Sequence, residues 1–230
     1  MGATTICCGM SILHSFTVRI YCKAVPKRVD HEQRRAEIIV GLWAVINGRG
    51  IEGVTYQAVA QATGISVGRI QHYFASKDDL ILAGCRAIVE RASDRYANRA
   101  ASLEPHEALR DLLAEPIPHT TSFRLGVAVW YAYLVRGGID PAIGAIIAES
   151  AQGTIKEAQT LLSAMGTPRD QVPREALRLV SLSNGLTQRV LIGAASAQEA
   201  LEVLAAEIPV VRNAPTSPTL SPSPSRPKSR

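Results

Sequence analysis

The segment from Thr55 to Lys77 combines hydroxyl, basic and amide side chains that suit the binding of a nucleic acid. Arg69 can form a bidentate pair with guanine, and Gln71 can form one with adenine. Hydroxyl and ammonium groups at the ends of helices can hold phosphate oxygens, and Gly68 would let the backbone approach DNA closely. We therefore predict ten DNA-contacting residues: Thr55, Tyr56, Ser66, Val67, Gly68, Arg69, Gln71, His72, Tyr73 and Lys77.

Two short helices, over residues 55–63 and 66–73, are predicted to present these side chains. Gly64 tolerates the positive φ that the turn between the helices requires, and Ala60 is small where they cross. Apolar residues lock the second helix onto the first: Val59, Ile65 and Ile70. This spacing is typical of a helix-turn-helix, although an ordinary corner between two helices has a similar pattern.

A wider stretch, from Glu37 to Leu82, resembles the tetracycline-repressor (TetR-type) family of transcriptional regulators. The resemblance lies in I-I…I-x-x-x-G over 38–50, V-T-x-x-A-V-A-x-x-T-G-I-S-x-G over 54–68 and Y-F-x-S-K-x-x-L over 73–80. It implies a dimeric DNA-binding repressor in which Tyr73 and Lys77 hold phosphates. Gln71 departs from the family, because many members carry Tyr at that position.

The rest of the chain resembles the regulatory domain of this family, and two stretches point to the betaine-repressor-like subgroup. These stretches are W-Y-A-Y over 130–133 and L-S-N-G-L over 182–186. Their specificity is much lower than that of the helix-turn-helix motif.

The net charge of +5 is unevenly distributed along the chain. Residues 25–77 hold seven basic and four acidic side chains, whereas residues 78–211 hold twelve basic and sixteen acidic ones. A basic module on an acidic body is compatible with nucleic-acid binding confined to that module. Four basic residues near the start of the first helix could add phosphate contacts or simply be solvated: Lys27, Arg28, Arg34 and Arg35.

Helical periodicity and capping residues predict an all-α protein of nine helices, the first capped by Asp30 with Gln33. Residues 25–77 are expected to form a three-helix DNA-binding domain, and residues 78–211 a larger ligand-binding and dimerisation domain. Residues 1–24 are interpreted as a disordered or mis-annotated extension, with Val25 as a possible true start. Residues 212–230 are rich in Pro, Ser and basic residues and are predicted to be a disordered tail.

A stripe on the eighth helix is predicted to form a homodimer interface, because its members recur at helical spacing and include small residues. The alternative is that this stripe packs into the core of the monomer. The stripe consists of Leu177, Val180, Ser181, Asn184, Gly185, Gln188 and Leu191.

Aromatic residues of the sixth helix are predicted to line a pocket for a small, largely apolar effector. Trp130 and Tyr133 would form its wall, Phe123 would lie close to the same side, and Tyr96 or Arg95 would add a polar contact. The alternative is that these aromatic residues belong to the core.

Several other classes of protein are disfavoured by the sequence. The longest apolar run, Leu125 to Val135, is about half of what a bilayer span needs. Four cysteines lie at no zinc-binding spacing, which indicates no metal and thiols in a reducing cytoplasm: Cys7, Cys8, Cys22 and Cys85. No nucleotide-binding loop or hydrolase motif is present, so neither a cofactor nor an enzyme is expected. A helical protein-binding scaffold remains the other alternative.

Overall fold

The computed structural model describes residues 27–209, with side chains from residue 31 onward. All regular secondary structure in this range is helical and none of it is strand, which confirms the all-α prediction. The helices are α1 (Lys27–Arg49), a short 3-10 helix (Ile51–Gly53), α2 (Tyr56–Thr63), α3 (Val67–Tyr73), α4 (Lys77–Ala100), α5 (Pro105–Ala114), α6 (Thr121–Gly137), α7 (Pro141–Ala164), α8 (Val172–Leu191) and α9 (Ala197–Glu207). The predictions for residues 1–24 and 212–230, and for three of the four cysteines, lie outside the described residues.

Most helix starts lie where side-chain capping predicts them. Thr55, Ser76 and Ser196 each accept a hydrogen bond from the backbone N–H three residues later, which satisfies a donor at the helix start. The first helix is an exception, because α1 begins at Lys27 and already includes Asp30. An acidic residue in the first turn of a helix also complements the helix dipole. An Asp near a helix start can therefore be either the cap or a residue of the first turn.

One hydrophobic core lies around α1–α4 and reaches beyond these helices. Ile38, Leu42, Val59, Ile70 and Phe74 are buried in it, as are Leu80 and Cys85 from the first half of α4. Three further buried side chains come from α6 and α7: Val129, Tyr133 and Ile143. The helix-turn-helix therefore shares its core with the body of the protein, which fixes its position against α6.

A second core lies between α5, α7, α8 and α9. Leu109, Leu162, Leu179 and Leu204 are almost fully buried there, one from each helix. Ser183 of α8 is also buried, and its hydroxyl donates a hydrogen bond to the carbonyl of Leu113 at 2.6 Å. α4 lies between the two cores, since Leu80 belongs to the first and Tyr96 packs against the second.

Candidate nucleic-acid interface

The turn between α2 and α3 has the geometry that its sequence predicts. Gly64 has φ +72°, a left-handed conformation that glycine adopts without steric cost. Thr63 donates a hydrogen bond to the carbonyl of Val59 at 2.8 Å and accepts one from the N–H of Ile65. Ile65 and Ile70 are buried, so they fasten α3 onto the first core and leave its opposite face outward.

The outward face of α3 carries the side chains expected to read base edges. Gly68, Arg69, Gln71 and His72 are exposed, whereas Val67 is half-buried. A Cβ built on Gly68 would meet no atom within 4 Å, so nothing in the described chain covers this surface. Arg69 forms no ion pair among the described residues, and its guanidinium is available to an external partner.

Tyr73 ends α3 as a half-buried residue between two histidine rings. Its ring lies 4.5 Å from that of His31 and 5.6 Å from that of His72, measured between centroids. A depression beside it is lined by Arg34, Arg69, His72 and Tyr73. Arg34 also pairs with Glu37 at 2.5 Å. The structure thus joins α1 to the recognition helix in one polar surface.

The remaining predicted phosphate contacts surround α3. Thr55 and Ser66 are exposed at the starts of α2 and α3, and Lys77 is exposed at the start of α4. The Thr55 oxygen accepts from the N–H of Ala58 at 3.0 Å, which leaves its own proton free. Tyr56 differs, because its hydroxyl donates to the carbonyl of Phe74 at 3.0 Å. Burial raises the pKa of Tyr56, and the charge of Asp79 raises it further.

Two contacts of α1 complete the local structure, and neither belongs to a local motif. Arg35 donates to the carbonyl of Tyr73 at 3.0 Å, and its guanidinium lies 4.3 Å from the centroid of the Phe74 ring. Gly41 lies where α1 crosses α2, and a Cβ there would approach Cγ2 of Thr63 to 2.0 Å. The crossing of α1 with α2 is therefore close at Gly41, whereas the small Ala60 noticed in the sequence concerns the crossing of α2 with α3.

The four aromatic residues predicted to form an effector pocket do not come together. Tyr133 is fully buried in the first core, and a Cβ on Gly84 would lie 2.5 Å from its hydroxyl. Phe123 lies at the other end of α6, where the guanidinium of Arg95 is 5.5 Å from its ring centroid. Phe123 and Tyr133 are ten residues apart on α6, so they are separated by about 15 Å along the helix axis.

The other two residues of that prediction also have separate surroundings. Tyr96 donates to the carboxylate of Glu157 at 3.1 Å, across α4 and α7. Burial raises the pKa of Tyr96, and the nearby charge of Glu157 raises it further. Trp130 is half-buried on α6. The expected single cavity needs correction, because helical spacing on α6 does not reveal that Tyr133 faces α1 and α4.

The predicted dimer stripe lies largely on the surface of α8. Leu177, Ser181, Asn184, Gly185 and Gln188 are exposed, and Leu177 retains 55% of its accessible surface. Leu191 is half-buried. Val180 is an exception, since it packs into the second core and is 7% exposed. The alternative, a stripe facing the monomer core, therefore applies to Val180 but not to the exposed residues.

Comparison with known proteins gives two family matches that together cover most of the described chain. Residues 38–83 match the model for bacterial regulatory proteins of the tetR family. Residues 104–210 match the model for the tetracyclin repressor-like C-terminal domain. The fold and the exposed recognition helix thus define a helix-turn-helix protein with a helical regulatory domain. The chain belongs to the TetR family of bacterial transcriptional regulators.

Individual relatives are similar to the chain in sequence or in fold. The chain is 34% identical over 110 residues to the HTH-type transcriptional regulator PksA of Bacillus subtilis, covering 47% of this chain and 54% of PksA. It is 29% identical to BetI of Burkholderia lata, covering 72% of this chain and 86% of BetI. A solved TetR-family structure from Streptomyces coelicolor has 27% identity and a TM-score of 0.61, covering 77% and 99% of the two chains. The match to PksA therefore spans about half of that protein's length.

Proposed function

We propose that this protein is a sequence-specific DNA-binding repressor that binds a palindromic operator as a homodimer and is released by a small molecule. The observation that carries the proposal is the outward face of α3, where Arg69, Gln71 and His72 are exposed and Gly68 leaves room for DNA. A helix of this kind inserts into the major groove, where side chains reach base edges.

The proposed contacts divide into two groups. Val67, Gly68, Arg69, Gln71 and His72 lie against the bases, and Arg69 supplies the principal base contact. Four residues hold phosphates on either side of the groove: Thr55, Ser66, Tyr73 and Lys77. Thr55, Ser66 and Lys77 are exposed, which supports this role. Tyr56 was expected in the second group, but its only hydroxyl proton is already donated to Phe74.

Dimerisation is part of the proposal because one helix-turn-helix contacts only a few base pairs, and two are needed for useful specificity. The exposed residues of the α8 stripe are the proposed interface. A Cβ on Gly185 would meet nothing within 4 Å, so a partner helix can approach closely there. Replacing Gly185 with Trp should convert the dimer to a monomer in sedimentation experiments, whereas Ala at the exposed Gln198 should not.

The effector is proposed to act on the body of the protein, at the end of α4 that carries Arg95 and Tyr96. Phe123 lies beside this end, and Trp130 lies farther along α6. A ligand that displaced this end would change the separation of the two recognition helices, which must match about 34–36 Å on DNA. Near-complete release requires about 5.5 kcal/mol of preference for the unbound form.

The test is recovery and sequencing of genomic DNA fragments that the purified protein retains, followed by binding to synthetic duplexes. We expect a palindromic site whose affinity falls steeply with salt. Binding of equal strength to scrambled duplexes would contradict the proposal. Tyr96→Phe and Phe123→Ala should then shift the dose of any compound that releases this site, with wild-type DNA affinity retained.

The proposal includes no catalytic activity and no cofactor. It places the protein in the cytoplasm, where it would meet DNA. Within residues 27–209, no helix is long and apolar enough to span a membrane. The same range contains no group of three or more His, Cys, Asp or Glu side chains placed to hold a metal ion. A protein-binding scaffold would retain no specific DNA fragment, so the same experiment separates the two classes.

A further inference from the structure

We infer that Arg35 and Tyr56 are positioning residues that hold the carboxyl end of the recognition helix from α1 and α2, without contacting DNA themselves. The inference rests on the proposed function, since it concerns the same interface. The sequence predicts a phosphate contact for Tyr56 and leaves two alternatives open for Arg35, a phosphate contact or a solvated side chain.

The carboxyl end of a helix has carbonyl groups without partners inside the helix. In α3 these carbonyls include that of Tyr73, and the carbonyl of Phe74 follows at the extended residue that ends the helix. Arg35 donates to the first at 3.0 Å, and Tyr56 donates to the second at 3.0 Å. Consecutive carbonyls are therefore capped by side chains from two different helices.

Arg35 makes a second contact that restricts the same end of α3. Its guanidinium lies 4.3 Å from the centroid of the Phe74 ring, and Phe74 is fully buried in the first core. A planar cation that both stacks and donates restrains orientation as well as distance. Its positive charge also complements the negative end of the helix dipole.

The same contacts leave Arg35 and Tyr56 poorly suited to binding phosphate. A tyrosine hydroxyl has a single proton to donate, and that of Tyr56 is used within the protein. Arg35 is half-buried, with one face against Phe74. Arg34, one residue earlier, instead lines the depression that contains Arg69 and His72. Neighbouring arginines on α1 therefore have different roles.

A positioning role has a measurable signature that differs from a phosphate contact. Removing a phosphate contact weakens binding to every sequence and reduces the slope of log affinity against log salt by about one per protomer. Misorienting α3 damages base contacts and leaves the number of neutralised phosphates unchanged. The ratio of operator affinity to scrambled-duplex affinity should therefore fall at constant salt slope.

The experiment uses the full-length protein with the operator duplex recovered above and a scrambled duplex, by fluorescence anisotropy between 50 and 300 mM salt. The variants are Tyr56→Phe, Arg35→Ala and Arg35→Lys, with Lys77→Ala as the phosphate-contact control. Melting temperatures are measured for all variants, and binding is compared well below the lowest. Tyr56→Phe keeps the ring and removes only the hydrogen bond, so it tests the inference even where Arg35→Ala unfolds.

We expect Tyr56→Phe to lower operator affinity roughly three- to tenfold and Arg35→Ala roughly ten- to hundredfold, with scrambled-duplex affinity and salt slope unchanged. Arg35→Lys should recover part of the loss, because an ammonium can donate to Tyr73 but cannot stack as a plane. Equal losses on both duplexes with a reduced slope would identify phosphate contacts and overturn the inference. Unchanged operator affinity in Tyr56→Phe and Arg35→Ala would overturn it as well. Failure of the wild-type protein to prefer the operator would instead refute the proposed function, and the inference with it.

Discussion

The helix-turn-helix and the body of this protein use their positive charges differently. In the helix-turn-helix region, Arg69 and Lys77 are exposed and have no carboxylate partner among the described residues. In the body, Arg95 pairs with Glu115 at 2.8 Å, joining the end of α4 to the end of α5. Other arginines of the body join helices in the same way: Arg99 contacts Asp111, and Arg178 contacts Glu207.

This difference indicates which cations stabilise the fold and which are available to a partner. Charge alone does not make the distinction, because Lys156 and Arg169 in the body are also without an acidic partner within the described range. Position does, since Arg69 lies on the outward face of α3 and Lys77 lies at the start of α4, the next helix along the chain. This difference can be tested by substitutions in the helix-turn-helix, in the body, and at the contact between the two.

The largest effect is expected at Tyr133, which extends from the body into the core of the helix-turn-helix. Tyr133→Ala should lower the free energy of unfolding by about 3–5 kcal/mol, because it removes a fully buried aromatic side chain. Urea denaturation measures this change. Tyr133→Phe is the matched control and should change stability by less than about 1 kcal/mol, since the buried hydroxyl lies near the Trp43 indole but makes no hydrogen bond of ordinary geometry.

A loss below about 1 kcal/mol in Tyr133→Ala would favour a ligand-pocket role for this residue over a core role. Burial raises the pKa of the Tyr133 hydroxyl, so it stays protonated and neutral across the physiological range. No pH-dependent stability is therefore expected from it near neutrality.

Substitution of Arg69 tests whether an exposed cation of the helix-turn-helix contacts DNA. Arg69→Ala should cost about 1–3 kcal/mol of operator binding and relax selectivity at one base position. Arg178→Ala is the control from the body and should leave operator affinity unchanged, because its partners are Glu175 and Glu207. Competition binding with operators altered at single positions provides the measurement. Equal affinity and selectivity in Arg69→Ala would show that α3 is placed wrongly against the DNA.

Gly41 tests the packing that supports the recognition helix. Gly41→Ala should destabilise the fold by about 1–3 kcal/mol, because the added Cβ would clash with Thr63 where α1 crosses α2. Gly48, on the same helix, has no atom within 4 Å of such a Cβ. Gly48→Ala should therefore be neutral or stabilise by up to about 1 kcal/mol. Thermal denaturation of both variants distinguishes a close helix crossing from a general effect of alanine in α1.

The smallest effect is expected for the ion pairs of the body. Arg178→Ala should lower stability by about 0.2–1 kcal/mol, since Arg178 and Glu207 retain 41% and 46% of their side-chain exposure. The hydrogen bonds with Glu175 and Glu207 raise the pKa of Arg178, which stays charged at every accessible pH. The loss should shrink in 0.5 M salt because exposed charges are screened. A loss above about 2 kcal/mol, independent of salt, would mean that Arg178 stabilises the fold by packing or hydrogen bonding in addition to its charge.

The sequence by itself determined the features that depend on neighbours along the chain. Caps at Thr55 and Ser76, the positive φ of Gly64 and the outward direction of Arg69 all follow from contacts within a few residues. The helix-turn-helix motif could be recognised for the same reason. Where two local signals coincide, as for Asp30 near the start of α1, the first helical residue was predicted four residues late.

Tertiary structure alone decided the features that join distant segments. Arg35 and Tyr73 are 38 residues apart, and Trp43 donates to the carbonyl of Gly84 across 41 residues. Helical periodicity identifies the sides of α6, but it does not reveal which helix each side meets. The antiparallel pairing of α4 with α6 places Tyr133 in the first core and Phe123 beside Arg95, and so separates residues that the sequence had grouped into one pocket.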